Sequence, residues 1–89
     1  MSAHDHLQDV LDRYSTVYDR LAAKDEWRAM DNYDVMKMNE LFGKVHQAAA
    51  AYLGTTEDDV AANIYQDPYP TVDALVADYH ELKKQPQQQ

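Results

Sequence analysis

Residues 7–21 read LQDVLDRYSTVYDRL, and the fold turns on their spacing. Leu7, Val10, Leu11, Tyr14, Val17, Tyr18 and Leu21 recur every three or four residues, which sets them on one broad stripe of an α-helix. Ser2 and Asp5 have the Ser-x-x-acid form of a capping box, so the helix opens at Ser2 and runs to near Lys24. Opposite the stripe, Asp5, Asp12, Asp19 and Glu26 fall seven residues apart, an acidic ridge if the helix continues that far. Asp9 and Arg13 are four apart and form a helical ion pair.

From Lys24 the pattern weakens, and Asp31-Asn32-Tyr33-Asp34 is rich in cap and turn formers, which reads as a frayed turn and a new start. Asn32 or Asp34 caps a second helix with Val35, Met38, Leu41, Phe42, Val45, Ala48, Ala49 and Tyr52 inward, closed by Gly54 as a left-handed C-cap. Gly43 and Ala48 to Ala51 are small and let a neighbouring helix approach closely. Thr55 or Thr56 caps a short third helix carrying Glu57, Asp58 and Asp59 in its first turn, with Val60 and Ile64 inward. It stops before Pro68. Thr71 caps a fourth, with Val72, Leu75, Val76, Tyr79 and Leu82 on one face and Lys83 and Lys84 at its negative end. Nowhere does strand-like alternation persist. The expectation is all-α, a small three-to-four-helix bundle over residues 1–84, its two long helices a hairpin against whose open end the short ones lean. Residues 85–89, Gln-rich with nothing apolar to bury, form a disordered tail.

The 89 residues suit one domain, and their 45% apolar content is enough for it to fold. Cysteine is absent, so the core holds by packing alone, without disulfide or thiolate chemistry. Met1 to His6 lack the basic and apolar regions of a secretory signal, and the longest apolar run, Ala48 to Leu53, is far short of the ~20 residues of a membrane span. A cytoplasmic location is expected. Sixteen acidic against eight basic residues give a formal charge of −8, which repels nucleic acid and anionic membrane and attracts a basic protein surface.

Chemistry-bearing motifs are sparse. His46 and His80 stand alone on separate helices, without the spacing of zinc or di-iron ligands, and read as surface or boundary histidines. Phosphate-binding glycine loops and activated Ser or Cys nucleophiles are missing, so neither an enzyme nor a cofactor or metal is expected. Ala51-Tyr52-Leu53-Gly54-Thr55-Thr56, followed by Asp59-Val60-Ala61, resembles the turn of helix-turn-helix regulators. The would-be recognition helix departs from that family by opening on Glu57-Asp58-Asp59, three acids where phosphates would sit, so the segment reads as a structural turn.

Seven of the nine aromatics are tyrosines. Tyr14, Tyr52 and Tyr79 lie on the inward stripes, whereas Tyr33, Tyr65 and Tyr69 fall at helix ends or in the proline-stiffened loop Tyr65-Gln66-Asp67-Pro68-Tyr69-Pro70, where they can be displayed. Rigid tyrosine beside carboxylate is suited to recognising a basic partner. The sequence therefore points to a small acidic protein-binding module, an adaptor, inhibitor or immunity-type factor. Its docking residues would be Asp5, Asp12, Asp19, Glu26, Tyr33, Tyr65, Asp67 and Tyr69. The alternative is a nucleic-acid mimic whose carboxylate ridge blocks a DNA- or RNA-binding protein. Met30, Met36 and Tyr18 can form a homodimer face.

Overall fold

The computed structural model describes residues 2–23 and 32–85. It is all-α, with α1 (Ala3–Ala23), α2 (Asn32–Leu53), α3 (Glu57–Ala62) and α4 (Val72–Lys84), and no strand among the described residues. The expected turn around residues 24–31 and the end of the tail, residues 86–89, lie outside them.

Local chemistry sets most helix ends. Ser2 Oγ accepts from the Asp5 N–H at 3.1 Å, so Ser2 caps α1. Thr56 and Thr71 do the same for Asp59 and Ala74, each at 3.1 Å, and cap α3 and α4. Gly54 sits at φ 72°, and the Gly54 and Thr55 N–H groups both return to the Ala50 carbonyl, which ends α2 in the left-handed cap. At the start of α2 the structure corrects the reading. Asn32 is already helical and Asp34 lies in the first turn, so neither is the cap.

Ring contacts fix how α1 and α2 pair. His4 meets Tyr52 and Tyr14 stacks on Phe42, with centroids 5.7 and 5.4 Å apart, so the residue numbers sum to a constant, as they must in an antiparallel pair. Leu7, Leu11, Tyr14, Leu41, Val45, Ala48 and Ala49 fill the seam. α3 continues along the C-terminal half of α2, which buries Val60 completely, and α4 brings Val72, Leu75 and Tyr79 onto the same core. Both short helices therefore lie at the end of the hairpin that holds the start of α1 and the end of α2. Burial of some 15 apolar side chains, at about 25 cal/mol per Å² removed from water, supplies the main driving force.

Three packing expectations need correction. Tyr52 is 38% exposed although it lies on the inward stripe, because it stands at the end of α2 with the His4 ring against it. Val35 is 42% exposed, since it sits about 120° round the helix from Leu41, at the margin of the stripe. Gly43 does not serve a close approach: a Cβ added there would meet nothing within 4 Å. Ala48, Ala49 and Ala50 are buried in the core, as their size suggests, whereas Ala51 is exposed.

Candidate functional site

The loop between α3 and α4 is tied to α1 by two side chains. Gln8 uses its whole amide: Oε1 accepts from the Val72 N–H at 3.1 Å, and Nε2 donates to the Pro70 carbonyl at 3.1 Å and to Asp12 Oδ1 at 2.9 Å. Two turns on, the Tyr14 hydroxyl donates to the Gln66 carbonyl at 2.7 Å. Burial pushes the Tyr14 phenol pKa up, and the neighbouring Tyr18 and Asp67 add to the rise. The Gln8 bonds set the Pro70 end of the loop beside Asp12 on the acidic side of α1, and the Tyr14 bond holds Gln66 over the buried stripe.

The ridge residues Asp5, Asp12 and Asp19 are all exposed, and Asp67 and Tyr65 are exposed on the adjoining loop, Tyr65 by 52%. Glu26 lies outside the described residues. Tyr33 is 68% exposed, but it stands at the start of α2, about 30 Å by helical rise from the end where α3 packs. It does not join the others. Tyr69, which its prolines suggest is displayed, is 6% exposed. Its hydroxyl accepts from the Tyr65 N–H at 3.1 Å and donates to Asp78 Oδ2 at 2.9 Å, which locks the loop onto α4. Burial first, and then the Asp78 carboxylate, push its pKa up to about 12. For the homodimer face, Met36 is 68% exposed, Tyr18 is half-buried against Tyr14 and Met30 lies outside the described residues.

Sequence reasoning missed a polar cluster around Asp59. Its Oδ2 accepts from the Tyr79 hydroxyl, from the Thr55 hydroxyl at 2.8 Å and from Lys83 Nζ at 3.3 Å, and Asn63 Nδ2 reaches Oδ1 at 3.3 Å. Lys83 also lies 5.1 Å from the centre of the Tyr79 ring. The Tyr79 and Thr55 hydroxyls, ahead of the lysine, hold the Asp59 carboxyl below the usual carboxylate range. Most donors here are directed at one carboxylate, that of the residue whose backbone N–H Thr56 caps, while Lys83 Nζ also donates to the Tyr79 hydroxyl at 3.2 Å and Asn63 Nδ2 to the Asp59 carbonyl at 2.8 Å. The cluster is a clasp between α3 and α4, and no sequence pattern announces a pairing between residues 20 and 24 positions apart.

His46 is half-buried, at the boundary of the core. Its Nε2 is buried with no hydrogen-bond partner, its ring lies edge-on to Phe42 at 4.2 Å, and burial lowers its pKa against a smaller opposing pull from Glu57. No group of three or more His, Cys, Asp or Glu among the described residues is arranged to hold a metal ion. Two open hollows lie between α1 and α2, of about 370 and 380 Å³, and neither is lined by the Asp59 clasp. No helix among the described residues is long and apolar enough to cross a membrane.

Compared with known protein families, curated proteins and solved structures, the chain matches none of them.

Proposed function

We propose that this chain is a small acidic protein-binding module, an adaptor, inhibitor or immunity-type factor, that docks a basic partner surface. The observation that carries the reading is the adjacency of the α1 ridge to the Tyr65 to Pro70 loop, joined at Gln8. Gln8 joins Asp12 of the ridge to the Pro70 end of the loop, and Asp5, Asp19, Asp67 and Tyr65, all exposed, complete the proposed docking set. Composition supports it: residues 54–82 contain seven carboxylates and no lysine or arginine. Such a field speeds encounter with a cationic surface, and a tyrosine at its edge supplies rigid contact area. Glu26, in the same seven-residue spacing of the sequence, belongs to the proposed docking set, and the cytoplasm is the proposed location. Tyr69 now belongs to the support of the loop rather than to its contact surface.

The test is capture from the source cell by the wild-type chain and by Asp19→Lys/Asp67→Lys, whose changes fall on exposed positions of the ridge and the loop. A partner held at low salt, released at high salt and lost to the double variant supports the reading. A partner bound equally by both would remove it. The second reading is a nucleic-acid mimic, favoured by the regular line of ridge carboxylates although their spacing of about 10.5 Å along the axis is wider than the ~7 Å between phosphates of one strand. Displacement of the captured partner by duplex DNA would select the mimic.

A further inference from the structure

The cations of this acidic chain are unevenly placed. Of six lysines and arginines among the described residues (Arg13, Arg20, Lys37, Lys44, Lys83 and Lys84), three line one hollow between α1 and α2. We propose that this hollow is a binding site for a small amphiphilic carboxylate, its head held by Lys37, Lys44 and Arg13 and its tail laid over Val17 and Leu41.

The hollow holds about 370 Å³, within the range of small-ligand pockets, and the apolar Val17 and Leu41 line it together with the cations. A second hollow, of about 380 Å³, shares Arg13, Leu41 and Lys44 with it and prolongs the groove past Val10 towards His6, which gives a chain room to extend. The native counter-ions leave the ammonium groups underused. Glu40 offers the same oxygen, Oε1, to both Lys37 and Lys44, and each separation is 3.7 Å, beyond hydrogen-bond length. Arg13 is paired with Asp9 at 3.1 Å, and Asp12, on the same rim, is drawn aside by the Gln8 amide. With these carboxylates the rim is close to neutral, so a ligand is not attracted by the field of the whole chain. Attraction comes from direct hydrogen bonds to two ammonium groups that lack a close partner, combined with apolar contact below. Exposed pairs of this kind contribute little, so an incoming carboxylate can displace them.

The site borders the acidic face proposed above at Asp12 but binds through cations that face does not use, so its failure would leave that reading intact. The experiment is a titration of isotope-labelled protein with butyrate, hexanoate, octanoate and 1-octanol, followed by amide chemical shifts. Shifts are expected around Val10 to Val17 and Lys37 to Lys44. Each buried methylene should tighten binding up to about fourfold, the factor equivalent to ~0.8 kcal/mol. Octanol should bind at least fivefold more weakly than octanoate. Lys37→Ala/Lys44→Ala, at side chains 41% and 52% exposed, should keep its helicity and lose at least fivefold in octanoate affinity. Shifts elsewhere, equal binding of octanol and octanoate, or undiminished binding by the folded double variant would overturn the proposal. If the variant lost helicity, the wild-type comparison of octanoate with octanol would decide alone.

Discussion

Gln8 Oε1 accepts the backbone N–H of Val72 at 3.1 Å across 64 residues of sequence, so the first residue of α4 is held by a side chain of α1. Val72 is 1% exposed, and its N–H, in the first turn of a helix, has no intrahelical acceptor. Gln8→Ala should therefore leave a buried donor unpaired and cost about 1–3 kcal/mol. Urea denaturation measures the loss, and amide exchange at Val72 should quicken by more than at Leu11. An unchanged midpoint would mean that water replaces the amide.

Tyr14 and Tyr69, buried and with raised pKa values, should titrate late in an ultraviolet titration. The unperturbed phenol titrates near ~10, whereas Tyr69 is pushed up to about 12 by burial and Asp78, and Tyr14 is raised by burial. A folded-state pKa above the unfolded value contributes stability that is full below pH ~10 and lost as pH rises through the folded pKa. Unfolding is thus expected between pH ~10 and about 12, with late phenolate absorbance appearing together with loss of helicity. Tyr69→Phe should remove part of that alkaline sensitivity.

At the acid side two groups act in sequence. His46 has a folded pKa lowered by burial, so its contribution is present above ~6.5 and falls as pH drops through the folded value. Asp59, lowered by the Tyr79 and Thr55 hydroxyls, behaves likewise but around and below ~4. His46→Leu should flatten the melting temperature between pH 7 and 5 and, by removing a buried unpaired nitrogen, leave the protein as stable or up to about 1 kcal/mol more so at pH 7. Asp59→Asn should lower stability at pH 7 and flatten the curve below pH 4. If either variant reproduced the wild-type pH profile, that assignment would fail.

These polar ties mark the boundary of what the sequence discloses. Helices and caps follow local rules: three- and four-residue spacing from Leu7 to Leu21, Thr56 and Thr71 before their helices, Gly54 after one. Those were legible. Tyr52 obeyed the same spacing and is exposed, because periodicity gives the direction of a side chain but not whether another element reaches it. Tyr69 fails in the opposite sense. Pro68 and Pro70 beside it suggest display, but its partner Asp78 is a full helix turn and more into α4, a distance over which no local rule operates. Gln8, amid Asp5, Asp9 and Asp12, looks like another solvated polar residue. Its role appears only when Pro70 and Val72 arrive.

The two glycines offer opposite substitutions in one chain. Gly43 lies inside α2 and a Cβ there would meet nothing within 4 Å, while Gly54 holds φ 72°, where an L side chain is strained. Glycine within a helix is less stable than alanine by roughly 0.5–1 kcal/mol, chiefly because the unfolded chain loses more freedom. Gly43→Ala should therefore stabilise by that amount with no new contact. Gly54→Ala must instead place a Cβ in the left-handed region, at about 1–2 kcal/mol, or give up the bonds to the Ala50 carbonyl that end α2. Melting curves of the two variants should move in opposite directions, and their double variant should add, since the sites are 11 residues apart on one rigid helix and its cap. A destabilised Gly43→Ala protein would show that another element packs against that face of α2.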